Sequence, residues 1–317
     1  MKKMPHMLLL AVLCFGCGQT EKKAPTQKAP KPVHARNNAP LFQYGNPVLL
    51  QFDRYMAGLD TQSAEACHLA IDTFKLLFKK QPAAACDTAF YIYNQFHSLI
   101  CAYLNEHMAE DSIKYEEFLW GDENGKMKPL SKRQKAVKNR LDRNGFELGS
   151  EEGEVFIEQS QHFLAEQFTA YVSAPMKQYL IQEAIEQKEG FQEDAGLTIK
   201  PTVFADRTVW WENFIKANPN SFIYSQKATS NYNAYLYWLM IGMDNTSVRS
   251  WGKENLAEDS LSEYFREAYS YLQEKHPQTN TNTIVAPYFN AWQKMDTTEI
   301  TRVLNKFKEE HKSPWGE

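Results

Sequence analysis

The chain has 317 residues, of which 43% are hydrophobic and 13% aromatic. This supplies ample apolar surface for a folded core and excludes disorder throughout. Only 14 residues are glycine, which disfavours a turn-rich barrel, a propeller or a doubly wound nucleotide-binding fold. The net charge of -4 gives no overall basic signal for nucleic acid, and a mean hydropathy of -0.56 excludes a polytopic membrane protein.

The first sixteen residues predict an export signal rather than part of the fold. Lys2 and Lys3 form a positively charged start, and an apolar run follows over residues 7–15. That run has about half of the ~20 residues that a membrane-spanning helix needs. It is therefore typical of a secretory signal that is removed from the mature protein.

The end of the signal, Leu13-Cys14-Phe15-Gly16-Cys17, resembles the lipobox of bacterial lipoproteins. Gly16 is the small residue expected before the cysteine, whereas Cys14 and Phe15 depart from the usual leucine and small residue. The resemblance implies a mature chain that starts at Cys17 and is acylated there with two or three chains, which anchor a protein stably. It also implies a location in the bacterial envelope, at the outer membrane. The alternative is ordinary signal-peptidase cleavage near Gly16 or Gly18.

Residues 17–44 are predicted to be an extended tether. No aromatic residue occurs there before Phe42, and the segment is rich in proline and in basic residues, with a single acidic residue, Glu21. A charged, proline-rich stretch with few apolar side chains stays extended because it has little to bury. The segment would lift the following domain off a membrane, or act only as an inert spacer.

From residue 45 onward the apolar residues recur at spacings of three and four, which predicts an all-α domain over 45–312 with a tail at 313–317. Glycines and prolines punctuate 121–150, which suggests a sub-boundary there. No alternation is long enough to predict a sheet. The predicted helices start at Asn46-Pro47 and then cover 60–80, 87–107, 126–143, 150–173, 176–189, 202–217, 221–242, 259–275, 283–292 and 297–308.

The helix predicted over 126–143 is strongly basic. A basic helix either docks on a lipid surface or an acidic partner, or is simply a solvated face. Its positive side chains include Lys132, Arg133, Lys135, Lys138, Arg140 and Arg143.

Three helix ends share a pattern that leads to Pro82, Pro219 and Pro277. In each, an aromatic residue stands eight positions before the proline and a large apolar residue five before it, so both lie on one face. The pattern resembles the helix-turn-helix phrase of tetratricopeptide-like repeats, which is common in lipoproteins of the outer-membrane assembly type. Because the prolines are 137 and 58 residues apart rather than about 34, the prediction is an irregular array or bundle of antiparallel helical hairpins.

Cysteines suggest a disulfide within the first of these hairpins. Cys67 and Cys101 would each lie about 25 Å from a turn near Ala83, at a rise of about 1.5 Å per residue. A Cys67–Cys101 bond is therefore one prediction, and free, buried thiols at Cys67, Cys86 and Cys101 are the alternative. His97 and Cys101 are one turn apart, but no fourth ligand is identifiable, so neither a metal nor another cofactor is predicted.

Four aromatic residues, Trp210, Trp211, Tyr235 and Trp238, form a candidate binding groove, with a central core position as the alternative. The leading functional prediction is a membrane-anchored envelope lipoprotein that binds another envelope protein or peptide through a helical scaffold without a catalytic centre. One alternative is an envelope glycan-processing enzyme with a carboxylate pair beside Trp210 or Trp211. Another is a groove-type carrier of an apolar small molecule. Nucleic acid is not an expected partner.

Overall fold

The computed structural model describes residues 45–121, 125–218, 222–250, 260–311 and 313. The predicted signal, the predicted acylation site Cys17 and the predicted tether all lie outside the described residues. The described part is mostly helical. Its twelve α-helices are α1 (Pro47–Ala57), α2 (Glu65–Phe78), α3 (Ala83–Glu106), α4 (Glu116–Leu119), α5 (Lys132–Arg143), α6 (Gln161–Phe168), α7 (Ala174–Glu189), α8 (Pro201–Ala217), α9 (Ser225–Ile241), α10 (Glu263–Lys275), α11 (Asn280–Gln293) and α12 (Thr297–Glu310).

Short antiparallel strand pairs interrupt the helices, and a 3-10 helix covers Met108–Asp111. The strands are β1 (Phe146–Glu151), β2 (Glu154–Gln159), β3 (Gln192–Glu193), β4 (Gly196–Leu197), β5 (Gly242–Met243), β6 (Thr246–Ser247), β7 (Arg249–Ser250) and β8 (Ser260–Leu261). They pair as β1–β2, β3–β4, β5–β6 and β7–β8. The prediction of a predominantly helical chain is confirmed.

The helix predicted over 150–173 is wrong in its first ten residues, which lie in the β1–β2 hairpin. Glu152 and Gly153 connect the strands with φ of 50° and 83°. Such a two-residue connection with two positive φ angles matches the twist of the strands on either side. The sequence contains a signal for this hairpin. Gly153 is a turn residue that follows Leu148, and the apolar Val155 and Ile157 alternate after it. The expectation that no sheet forms was therefore also wrong.

Side-chain caps explain where several helices begin. Asn46 accepts a hydrogen bond from the Val48 amide, with Pro47 in the first turn, as predicted. Ser131 and Gln134 form a reciprocal capping box at α5. The predicted break before Pro175 is also confirmed, because α7 begins at Ala174 with Ser173 as its cap. Each cap satisfies amide groups that have no partner inside the helix.

The helix reversals near the prolines were predicted only in part. Thr279 caps α11 by accepting from the Asn282 amide, so this helix begins three residues before the predicted start at residue 283. After Pro82, however, α3 starts immediately at Ala83, whereas the sequence predicts that the helix begins at Asp87. Alanines have high helix propensity, and the Ala85 amide already bonds to the Pro82 carbonyl. Residues 219–221 are outside the described part.

One connected hydrophobic core extends from Leu49 in α1 to Phe307 in α12. Helix α8 packs against α9, α10 and α11, while α6 packs on α7 and the β1–β2 hairpin packs on α3 through β2. Aromatic rings fill much of the core in edge-on contacts, including Phe74 with Phe168 at 4.7 Å and Phe90 with Phe168 at 4.9 Å. Each fully buried phenylalanine contributes roughly 1.5–3 kcal/mol of apolar burial. Among the described residues no helix is long and apolar enough to cross a membrane.

Candidate functional site

The four predicted groove residues lie in one neighbourhood between α7, α8 and α9. Trp210 and Trp211 are on α8 with ring centroids 4.8 Å apart. Tyr235 and Trp238 are on α9, with centroids 6.4 Å apart. Phe191, which follows α7, contacts both Tyr235 and Trp238. The two pairs are linked through Glu186 of α7, to which Trp211 and Tyr235 both donate hydrogen bonds. That the four residues form a binding groove stays a prediction.

Consecutive tryptophans on a helix point about 100° apart, so they meet different surroundings. Trp211 is fully buried, and its ring packs edge-on against Tyr179 of α7. Trp210 is half-buried and stacks on Phe214 with ring centroids 5.0 Å apart. Tyr235 is buried as well, whereas Trp238 is half-buried. Only Trp210 and Trp238 of the four retain appreciable contact with solvent.

The polar centre of this site is Glu186 of α7, which the sequence analysis did not single out. One carboxylate oxygen accepts hydrogen bonds from Trp211 Nε1 at 2.9 Å and from Gln182 Nε2 at 2.6 Å. The other accepts from the Tyr235 hydroxyl at 2.7 Å. Two predicted groove residues thus direct their only polar groups at one glutamate. The only hint of Glu186 in the sequence is its position one helical turn after Gln182, on a helix whose polar and apolar residues are mixed.

Arg207 extends the network from α8 to the end of α7. Its side chain is 3% exposed, so its charge needs partners within the protein. It donates to Glu189 Oε2 at 2.7 Å, to the Gly190 carbonyl at 2.8 Å and to the Tyr235 hydroxyl at 3.4 Å. The bond to Gly190 satisfies a carbonyl at the carboxyl end of α7, where positive charge is favourable.

Two carboxylates of α7, Glu183 and Glu186, lie one helical turn apart, and Glu186 bonds to Trp211. Burial raises the pKa of Glu186, although hydrogen bonds from Gln182 and Tyr235 oppose the shift. Burial also raises the pKa of Glu183, against the charge of Lys227 and a hydrogen bond from Asn231 at 2.8 Å. Burial of a carboxyl group favours its neutral, protonated form. Both oxygens of Glu186, however, are already occupied by donors from the protein itself.

The predicted cysteine pair is close in space. Cys67 of α2 is buried and Cys101 of α3 is half-buried, and charge on Cys101 contributes to a raised pKa of Cys67, after burial as the main cause. Burial raises the pKa of Cys101 to about 11. Both are thiols in this structure, with Cys101 Sγ donating to the Ile157 carbonyl at 3.2 Å. The Cys67–Cys101 disulfide stays a prediction.

His97 occupies a core position between α3 and the β1–β2 hairpin. Its ring stacks on Phe146 at 4.2 Å. Nε2 lies 2.9 Å from the Asn144 carbonyl and must donate to it, so Nδ1 accepts from Gln159 Nε2 at 2.7 Å. Both ring nitrogens are used, which leaves none for a metal. In the part of the chain that the structure describes, no three His, Cys, Asp or Glu side chains are grouped as metal ligands would be.

No protein-family model, curated protein or solved structure matches this chain. Its function can therefore be inferred only from its own residues and contacts.

Proposed function

We propose that the protein is a lipid-anchored component of the bacterial envelope whose helical domain binds another protein or a peptide without catalysing a reaction. The anchor would be Cys17, which follows the short apolar run and Gly16. Acylation with two or three chains would hold the protein at the membrane, since one chain alone binds only marginally. The helical domain would then act from the membrane surface, as predicted for the outer membrane.

Outward-facing aliphatic side chains support the binding role, and they are the observation that carries it. On α2, Leu69 is 50% and Leu76 is 79% exposed; seven residues apart, they share one face. On α7, Ile181 and Ile185 are 40% and 43% exposed, one turn apart. Single exposed apolar residues are normal, but aligned pairs provide the anchors that a protein partner buries.

The finer architecture belongs to the same proposal. Helices adjacent in sequence pack on each other in the pairs α6–α7, α8–α9, α10–α11 and α11–α12. We propose that these pairs are antiparallel hairpins in an irregular array, as the sequence predicts. Stacked helical hairpins offer extended surfaces for a protein ligand rather than a deep catalytic cleft.

The enclosed site between α7, α8 and α9 favours binding over the glycan-processing alternative. The carboxylate pair of that alternative would be Glu183 and Glu186. A sugar ring stacks on an exposed tryptophan face, whereas Trp211 is fully buried with its Nε1 bonded to Glu186. The apolar-carrier alternative meets a similar obstacle, because Phe191, Tyr235 and Trp238 fill the space with one another. The network instead ties three helices together.

The proposal is tested by site-specific photo-crosslinking of the full chain in envelope membranes. A photoreactive residue at position 76 or 185 should form a discrete crosslink to one protein. The same residue in place of Glu274, an exposed position on α10, should not. Replacing Leu69 with serine should weaken the crosslink formed from position 76, because the two positions share one face of α2. Likewise, replacing Ile181 with serine should weaken the crosslink formed from position 185. Identical crosslinking from all positions, or from none, would count against a binding role.

The anchor is tested separately. In the Cys17→Ala variant, fatty-acid labelling should disappear and the protein should leave the salt-washed membrane fraction. Unchanged labelling would refute acylation at Cys17.

A further inference from the structure

Helix α5 and the segment before it carry the densest positive charge of the described domain. Residues 126–143 contain eight lysines and arginines and a single acidic residue, Asp142. The whole chain has a net charge of -4, so this segment differs in sign from the rest. A cluster of this size on one short segment creates a local positive potential that favours an anionic partner.

The geometry of α5 separates its inner and outer sides. Gln134 and Leu141 are buried and Val137 is half-buried, which defines the side facing the core. At 100° per residue, Lys132 and Arg143 fall on the opposite side, with Lys135 beside them. These three side chains are exposed. Neither Lys132 nor Lys135 forms an ion pair with a carboxylate among the described residues.

The remaining charges of α5 are partly neutralised on its flanks. Lys138 pairs with Asp142 at 2.7 Å. Arg140 donates to both carboxylate oxygens of Glu65 on α2, at 2.9 and 3.0 Å. Arg143 also forms an ion pair with Glu65, at 3.9 Å. These contacts fix the orientation of the helix and leave Lys132 and Lys135 as exposed positive side chains.

Two exposed apolar side chains, Trp120 and Met127, lie close to Lys128 in space or in the chain. Trp120, at the end of α4, is 42% exposed, and Met127 is 48% exposed. Trp120 and Lys128 line the same surface cavity of about 160 Å³, together with Glu116, Glu117 and Gly121. Glu117 also accepts a hydrogen bond from Gln134 at 2.7 Å, which attaches α4 to the first turn of α5. We call Trp120, Met127, Lys128, Lys132 and Lys135 the basic patch.

We propose that the basic patch docks the domain onto an anionic lipid bilayer. Tryptophan is enriched at the membrane–water interface, where its ring lies among the headgroups, and lysines beside it attract anionic lipids. The positive charges would also attract an acidic protein. Binding of an acidic protein, however, would not require an exposed tryptophan and methionine next to the lysines. Glu116 and Glu117 outnumber Lys128 among the residues that line the cavity. Residues 126–135, however, contain five lysines and arginines and no acidic residue, so the segment beside the cavity stays positive.

The inference rests on the proposed lipid anchor, which brings the patch to a membrane. Covalent geometry limits Asn46 to within about 100 Å of Cys17, because 29 residues span at most ~3.3–3.6 Å each. The anchor keeps the basic patch at a high effective concentration near the membrane surface. An anchored protein can therefore maintain a contact with the lipid that would be too weak to hold a free protein.

Thiol accessibility provides the test, on the full-length acylated chain in vesicles. Met127 and Met295 are both 48% exposed, so Met127→Cys and Met295→Cys are a matched pair. Alkylation by a water-soluble maleimide is compared on vesicles of pure phosphatidylcholine and on vesicles with phosphatidylglycerol. The wild-type chain gives the background from its own cysteines.

On anionic vesicles the thiol at position 127 should react on the order of tenfold more slowly than on neutral ones, as expected for burial at the headgroup boundary. The thiol at 295 should react equally on both. Adding Lys132→Glu and Lys135→Glu should remove the protection. Equal reaction at 127 on both vesicles would overturn the docking proposal, as would protection that appears only when envelope proteins are added, which would indicate an acidic protein partner. A chain that pellets with neutral vesicles through Cys17 but shows no protection leaves the anchor intact and refutes the docking alone.

Discussion

His97 links the pH dependence of stability to the packing of the β1–β2 hairpin. Its side chain is fully buried, and burial lowers its pKa to about 4 from an ordinary value of 6.5, although the bond to the Asn144 carbonyl opposes the shift. The unfolded chain therefore binds a proton at His97 more readily than the folded protein. Between pH 6.5 and 4 stability must fall as the pH falls.

The local hydrogen bonds explain why the neutral ring is required. Protonation would place a hydrogen on Nδ1, which now accepts from Gln159 Nε2 at 2.7 Å. Rotating the Gln159 amide would not help, because its Nε2 also donates to Asn94 at 3.1 Å and its oxygen accepts from Ser98 at 3.2 Å. The charge would thus be buried opposite a donor.

The size of the effect follows from the two pKa values. A shift from 6.5 to about 4 corresponds to about 3 kcal/mol in full, at 1.36 kcal/mol per pKa unit. Of this, about 2 kcal/mol is lost between pH 7 and pH 5, where the unfolded histidine is mostly protonated and the folded one is not.

His97→Phe isolates this contribution. The phenyl ring retains the stacking but leaves the Asn144 carbonyl and one N–H of the Gln159 amide without a partner, so at pH 7 we expect a loss of about 1–3 kcal/mol. Between pH 7 and pH 5 the variant should lose about 2 kcal/mol less than the wild type. Urea unfolding followed by circular dichroism at pH 5, 6 and 7 measures both quantities.

His162→Phe is the control, because His162 is exposed beside Glu166 on α6. It should follow the wild-type pH dependence within error. If His97→Phe and the wild type lost stability in parallel from pH 7 to pH 5, the buried neutral histidine could not be the cause and the reasoning would be wrong.

Further expected outcomes concern the backbone, a helix cap and the thiols. Gly145→Ala should destabilise by about 2–4 kcal/mol, since φ is 81° and the new Cβ would lie 2.4 Å from the Phe163 ring; Gly153→Ala, at φ of 83° in open space, should cost only about 1–2 kcal/mol in thermal or urea unfolding. Glu212→Gln should cost about 1–2 kcal/mol, because the carboxylate accepts from the two first amides of α11 at 2.7 Å. A similar loss with Glu274→Gln, an exposed carboxyl, would contradict that explanation. Non-reducing peptide mapping should recover a Cys67–Cys101 peptide if the predicted disulfide forms, and recovery of both as alkylated thiols would exclude it.

The helices could be predicted because their signals are local. Spacing of apolar residues, Asn46-Pro47 at the start of α1 and Gly242 at the end of α9 all act within one or two turns. The β1–β2 hairpin was missed because Phe156 and Phe163 also fit a helical spacing. Its pairing depends on a two-residue turn and on packing against α3, where Asn105 bonds to both the amide and the carbonyl of Ile157. Such support comes from a residue 52 positions away and leaves no trace in a local pattern.

The site shows the same limit in a sharper form. The sequence shows the aromatic residues of α8 and α9 directly, because their residue types can be read from it. It does not show which of these side chains are buried and which face solvent. Contacts with Glu186 determine which of them are buried. A half-buried carboxylate is stabilised by donors, and Trp211 and Tyr235 donate to Glu186 together with Gln182. Their polar atoms are turned inward for that reason, which leaves Trp210 and Trp238 as the partly exposed pair. The orientation of an aromatic side chain here is decided by a polar group on another helix, and a single sequence does not specify that contact.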